Sequence, residues 1–243
     1  MDPGATTRAA PLVAGIHKLV DHLGYDFLGG PRPLKMAWVI NFQKALTFAW
    51  VLGLMAVYGN TSTAAWVYLG LHGSYGFCWL VKHAAFPDAS WERRVTIGGA
   101  VMSFLLVLGP YWVLPWLLIS RGASGASPPP SDPRLALAIA VHTLGVAVML
   151  SADAQKHFVL RARRGLVSNG MYARTRHPNY LGEMMIYGAY ALIVGHWLGW
   201  AILGWVWTVI FLVNMLMQEA SLGRYPEWPA YRARTGFLLP RVF

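Results

Sequence analysis

A helix needs about 20 consecutive apolar residues to cross the hydrocarbon of a bilayer. Residues 36–58 supply such a run with a single charged side chain, Lys44. The pattern returns at 63–81, 96–119 and 135–152. The apolar stretch 181–218 exceeds one span, and Gly195-His196-Trp197-Leu198-Gly199 divides it into a short helix and a full one joined by a tight turn. The spacing predicts an all-α integral-membrane helical bundle of six spans. Composition agrees: 56% of the residues are hydrophobic and 12% charged, with a mean hydropathy of +0.43, against about 25% charged in a soluble domain. That excludes a soluble globular enzyme, a disordered chain and a disulfide scaffold, and Cys78 alone cannot form an internal bridge.

The net charge of +10 in so apolar a chain points to an anionic membrane face or an anionic cofactor rather than to nucleic acid. Lys44 lies inside a span, and Arg121 and Arg134 lie in the loop 120–134. The other 17 of the 20 Lys and Arg precede span one, join spans two to three or four to five, or follow span six. By the positive-inside bias, those segments and both termini face the cytosol. Residues 1–35 then form a cytosolic segment, mildly amphipathic over 11–28 and suited to the membrane surface. They carry Asp2, Arg8, Lys18, Asp21 and Asp26 and lack the long apolar core of a signal peptide. Residues 36–243 form one membrane domain. The loop 120–134, with Ser127-Pro128-Pro129-Pro130-Ser131, reads as a linker on the opposite side. Asn60-Thr61-Ser62 matches a glycosylation sequon by chance, in a very short turn.

Polar groups inside a bilayer are costly and mark functional sites by default. Here Asn41, Gln43 and Lys44, then His72, Ser74 and Tyr75, then Ser151 and Asp153, then Glu183, Asn214, Gln218 and Glu219 gather near the cytosolic ends of their spans. A cavity open to the cytosol would explain the clustering. In an antiparallel hairpin of spans one and two, Gln43 and Tyr75 sit at one depth. A phenol held by an amide there is a candidate proton donor to a carbonyl oxygen. The alternative is an interface aromatic and an amide bonded to a neighbouring helix. His72, three residues before Tyr75, is expected to pack or to orient it, and Lys44 to snorkel to the surface.

Six Lys and Arg occur between 156 and 176. Arg161, Arg174 and Arg176 offer guanidinium forks to phosphate. Pro178 fits the first turn of span five, so His177, Asn179 and Tyr180 lie at a helix start that attracts anions. The alternative for the arginines is ordinary contact with lipid headgroups. Beyond span six, aromatic residues alternate with arginines through Tyr225, Trp228, Tyr231, Arg232 and Arg234. That suits either a lid over a flat, charged cofactor or an interfacial anchor belt. No HxxxH, CxxC or close His/carboxylate cluster is present, so no metal is expected, and no Rossmann or P-loop glycine pattern occurs.

The run Arg176-His177-Pro178-Asn179-Tyr180-Leu181-Gly182-Glu183 resembles a membrane superfamily. It contains the steroid 5-alpha-reductases and their bacterial relatives, the sterol C14 reductases, and the isoprenylcysteine and phospholipid methyltransferases. The resemblance covers Asp153 to Pro240 and includes Glu219, Tyr225-Pro226 and Tyr231. The asparagine after the Arg-His-Pro and the acidic residue after the glycine resemble the reductase branch. The resemblance implies NADPH-dependent reduction of a conjugated carbon–carbon bond in a lipophilic enone of the 3-oxo-Δ4 steroid type. Hydride would reach the β-carbon, with Gln43 and Tyr75 polarising the carbonyl. It further implies that residues 153–243 form the cofactor-binding half. Arg161, Arg174 and Arg176 would meet phosphates, and Asp153, His177, Asn179, Tyr180, Glu183, Asn214, Glu219 and Tyr231 the rest of the cofactor. The alternative on this fold is an S-adenosylmethionine-dependent methyltransferase acting on a lipid or prenyl-cysteine carboxylate. Either substrate would arrive from the bilayer of a bacterial inner membrane or an endoplasmic reticulum, with no obligate protein partner.

Overall fold

The computed structural model describes residues 9–126 and 128–241. Asp2, Arg8 and Ser127 of the sequence expectations lie outside these residues. The structure is mostly helical, at 76%. Its helices are α1 (Pro11–Asp21), α2 (Met36–Tyr58), α3 (Thr63–Ala85), α4 (Ile97–Ser103), α5 (Pro110–Ala123), α6 (Asp132–Ala162), α7 (Pro178–Val194), α8 (Trp197–Trp205), α9 (Val213–Leu222) and α10 (Trp228–Arg234). Wide π-helical turns continue α4 through Phe104–Leu108 and join α8 to α9 through Val206–Leu212. Among the described residues, the departures from an all-α chain are a two-residue antiparallel pairing, β1 (Leu34–Lys35) with β2 (Arg94–Val95), at the foot of α2, and an isolated parallel bridge of Thr175 with Gly236.

Among the described residues, three helices are long and apolar enough to cross a membrane: Met36–Tyr58, Asp132–Ala162 and the continuous Trp197–Leu222. A fourth is added if Ile97–Leu108 and Pro110–Ala123, bent by 43°, count as one span. At 17 residues, α7 is short for a span, and α3 carries His72, Ser74, Lys82 and His83 along an otherwise apolar length.

The side chains of α2 are sorted as a low-dielectric exterior requires. Trp38, Phe42, Leu46 and Trp50 face outward, whereas Gln43, Lys44 and Thr47 face the bundle interior. In water such a helix would turn inside out. Against lipid, the large apolar groups need no cover and the polar ones need the interior.

Gly59 ends α2 in the left-handed conformation, φ 62°, and Ser62 caps α3 by accepting from the Ala65 N–H at 3.3 Å. The hairpin they close packs tightly. A Cβ on Gly76 would collide with the Lys44 carbonyl, and one on Gly73 with the Phe48 ring. This pairing of 44 with 76 and 48 with 73 sets the register that brings Gln43 and Tyr75 near one level. Helices α6 and α7 also touch through small residues: a Cβ on Gly182 would stand 2.6 Å from the Gly145 carbonyl. Pro178 occupies the first turn of α7, and the Gly195-His196 turn separates α7 from α8, both as the sequence reading expects.

Two features differ from that reading. Helix α6 does not stop near 152 but runs to Ala162, because Gln155, Lys156 and Arg161 are good helix formers that continue past the apolar run. The segment 11–28 is bound to the domain as well as amphipathic. Thr96 donates its N–H to the Tyr25 carbonyl and its hydroxyl to that of Phe27, at 3.0 and 2.8 Å, and Arg93 pairs with Asp21.

Candidate functional site

Two polar regions occupy the bundle. The first is an interior cluster between α2, α3 and α7. Gln43 and Tyr75 are fully buried, each 0% exposed. Neither amide atom of Gln43 and not the hydroxyl of Tyr75 has a hydrogen-bond partner. The expected bond between phenol and amide is therefore not formed; both groups remain uncommitted at nearly the same depth. Rings wall them in. Tyr75 meets Tyr187 edge-on at 5.9 Å, His142 at 6.4 Å and Trp79 at 6.4 Å, and Tyr187 stacks on Tyr111 at 3.9 Å.

Lys44 corrects the snorkelling expectation. It is 4% exposed, and its ammonium donates to the Tyr187 hydroxyl. It sits 4.6, 5.0 and 5.1 Å from the ring centres of Tyr75, Trp79 and Tyr187. The seam at Gly76 turns residue 44 toward α3, leaving the stem no route outward. The helical face could have disclosed this. Trp38, Phe42, Leu46 and Trp50 mark a lipid-facing stripe, and Lys44 lies off it. His72 does not orient Tyr75: its Nδ1 lies 3.0 Å from the Tyr68 hydroxyl and its ring stacks on Tyr190 at 4.2 Å.

Just below, Lys82 of α3 forms a buried ion pair with Asp153 of α6 at 2.7 Å and lies over the Trp79 ring at 4.3 Å. Lys82 is a second residue the sequence reading missed, and its pair occupies the carboxylate expected to meet a cofactor. A narrow cleft lined by Asn41, Trp79, Lys82, His83, Asp88 and Trp91 reaches this level from one side. The buried Asn41 Oδ1 within it is unpartnered. Trp79 lines this cleft and also touches Tyr75, so it stands between the cleft and the interior cluster. In the loop beside it, burial works to raise the Asp88 carboxyl. Lys156, the Ser90 hydrogen bonds and Lys82 outweigh that and hold it below the usual carboxylate value.

The second region is a clamp at the carboxy-terminal end. Arg176 pairs through Nε with Glu219 and donates from Nη1 to the carbonyls of Thr235 at 2.6 Å and Arg232 at 3.2 Å. His177 Nε2 lies 3.4 Å from the Glu219 carboxylate, at ion-pair distance without hydrogen-bond geometry. Burial lowers the His177 pKa below 6.5, outweighing the carboxylate's opposing pull. The Tyr231 hydroxyl donates to the Tyr172 carbonyl at 2.8 Å, and burial raises its pKa to about 12. Backbone bonds complete the stitch, with Arg176 N–H to Gly236 O at 3.0 Å and Gly236 N–H to Arg174 O at 2.9 Å. Arg176, Glu219 and Tyr231, expected against a cofactor, are therefore engaged with one another's segments.

Other residues of that expected set remain accessible. Asn179, Glu183 and Asn214 are half-buried and make no side-chain hydrogen bond among the described residues. Tyr180 accepts from Gln218 at 3.1 Å and meets Phe211 edge-on at 5.2 Å. Asn214 thus lies between two contacts of α7, and Glu183 lies one turn beyond Tyr180 on the same side. Arg161 and Arg174 are exposed.

Against known proteins, a family described as "Protein of unknown function (DUF1295)" matches residues 91–235, more than half of the chain. One uncharacterised protein of Schizosaccharomyces pombe is 44% identical over 56 residues, 23% of this chain and 19% of that protein. A second from the same organism is 29% identical over 93 residues, 36% of this chain and 27% of that protein. The chain therefore spans less than a third of the length of either relative.

Proposed function

The chain belongs to the DUF1295 family, steroid 5-alpha-reductase-like membrane proteins, and from that premise we propose that it is an NADPH-dependent reductase of a conjugated carbon–carbon bond in a lipophilic enone. In this reading the chain has six spans, adding α3 and α7 to the four apolar ones, with both termini and the cofactor side in the cytosol. The observation that carries it is the uncommitted pair of Gln43 and Tyr75. Leaving a buried amide and a buried hydroxyl unsatisfied costs about 1–3 kcal/mol per group, a cost that a ligand carbonyl would relieve.

The residues fit a nicotinamide dinucleotide in part. Asn179, Glu183 and Asn214 keep polar groups half-buried on α7 and α9, and Arg161 lies exposed for a phosphate. Arg176, His177, Glu219 and Tyr231 hold the platform on which the first group stands. The bound cofactor supplies hydride to the β-carbon of the enone. Tyr75 donates its hydroxyl proton as a hydrogen bond to the enone oxygen and Gln43 offers its amide N–H, so the charge that grows on that oxygen meets fixed donors. The surrounding Tyr111, Tyr187 and Trp79 rings exclude water and strengthen those bonds. An acceptor soluble in lipid reaches the cluster from the bilayer.

The test is thermal unfolding of the detergent-purified protein with NADPH or S-adenosylmethionine. A ligand at 100 times its Kd stabilises by about 2.7 kcal/mol. Stabilisation by NADPH alone supports the reading. Stabilisation by S-adenosylmethionine alone replaces it with methyl transfer, and Glu183→Ala should abolish whichever response is seen.

A further inference from the structure

Lys44 is a buried charge that the proposed reaction leaves idle. The contrast with Lys82 is direct. Lys82 is equally buried and has Asp153 at 2.7 Å. Lys44 has no carboxylate at ion-pair distance among the described residues; its partners are the Tyr187 hydroxyl and three ring faces. An ammonium with no carboxylate at ion-pair distance is costly inside a bundle. It borders two of the groups with uncommitted polar atoms, Gln43 by sequence and Tyr75 by contact. A permanent anion at this point would neutralise the site in its resting state. An ammonium held against phenols, with no carboxylate at ion-pair distance, suits a site where negative charge appears only during the reaction.

We propose that Lys44 is a positioning residue for oxyanion stabilisation, acting through the Tyr75 and Tyr187 phenols it touches, and that the site therefore selects lipophilic carbonyl compounds that become enolates. The proposal rests on the enone-reductase reading. In the step it serves, the β-carbon receives a hydride from the reduced nicotinamide and the carbon–carbon π pair moves toward the carbonyl, placing negative charge on oxygen. The α-carbon then takes a proton from water, leaving the saturated ketone and the oxidised nicotinamide. Lys44 keeps its proton throughout. Its field favours the enolate over the enone, a difference that accelerates the step rather than merely tightening binding.

The probe is 2-naphthol, an enolate mimic whose absorbance distinguishes the ionised from the neutral form, added to the purified protein in detergent. Wild type should bind it as naphtholate. Lys44→Met and Lys44→Gln should bind it only as the neutral phenol, with turnover reduced roughly 100-fold and stabilisation by NADPH retained. Met removes a buried charge, and Gln keeps a donor toward Tyr187, so one of the two should fold. Naphtholate bound equally by a folded neutral variant overturns the proposal, as does a wild type that binds only neutral naphthol or none. Lys44-dependent naphtholate binding without any NADPH response would keep the role of Lys44 and reject the reductase reading.

Discussion

The interior cluster and the carboxy-terminal clamp hold similar side chains in opposite states, His177 excepted. In the clamp, Arg176 meets Glu219 and two carbonyls, and the Tyr231 hydroxyl reaches the Tyr172 carbonyl. In the cluster, Gln43, Tyr75 and His72 each leave buried atoms unpartnered. Buried polar groups that satisfy one another stabilise architecture, whereas those left open are arranged for something the chain itself does not supply. The difference is what supports the proposal that the clamp holds and the cluster reacts, although sequence resemblance alone treats both as parts of one binding surface.

Substitutions can break this division, and the clamp should give the largest response. Arg176→Ala takes from the half-buried Glu219 its closest partner and frees the 232–236 segment, at a cost of about 3 kcal/mol. Thermal unfolding and protease cleavage of the tail measure it, and an unchanged midpoint would mean the clamp carries no load. Tyr75→Phe should act the other way, with stability kept and turnover reduced roughly 100- to 1,000-fold. Steady-state kinetics beside an NADPH thermal shift separate the two effects, and full activity would remove Tyr75 from the reaction. Tyr231→Phe should lower stability by about 1 kcal/mol while leaving NADPH affinity intact. A loss of affinity instead would return Tyr231 to the cofactor.

The smallest effect is a pH dependence located in the clamp. Burial makes His177 harder to protonate in the folded chain than in the unfolded one, so between its lowered pKa and 6.5 the unfolded state binds more protons. Its contribution to stability is complete above pH 6.5 and declines as the pH falls below it. Unfolding midpoints recorded across this range should fall toward acid in wild type and flatten in His177→Gln. An identical slope in the variant would assign the dependence to other groups.

Much of the scaffold was legible because the bilayer imposes simple lengths. The run 36–58 became α2 without adjustment, Pro178 began α7, and Gly195-His196 broke the last apolar stretch. Helix α6 ran past its apolar run because water does not end a helix whose residues favour it. The near-common depth of Gln43 and Tyr75 followed from hairpin arithmetic, yet their lack of partners did not, since it depends on rings contributed by α5, α6 and α7. The interior position of Lys44 turned on the Gly76 seam, a contact between helices that periodicity along one helix only hints at. The Arg176–Glu219 pair joins residues 43 positions apart; it needs the tail folded back onto the 172–176 loop, and no local pattern encodes that return.

The most direct test of the account follows the hydride. Detergent-purified protein is incubated with NADPH deuterated at the transferring carbon of the nicotinamide and a 3-oxo-Δ4 steroid, and the product is read by mass spectrometry. The account predicts a saturated ketone with one deuterium on the β-carbon, formed by wild type and lost in Tyr75→Phe. An unlabelled or unreduced steroid, under conditions where the protein is folded and stabilised by NADPH, would contradict it.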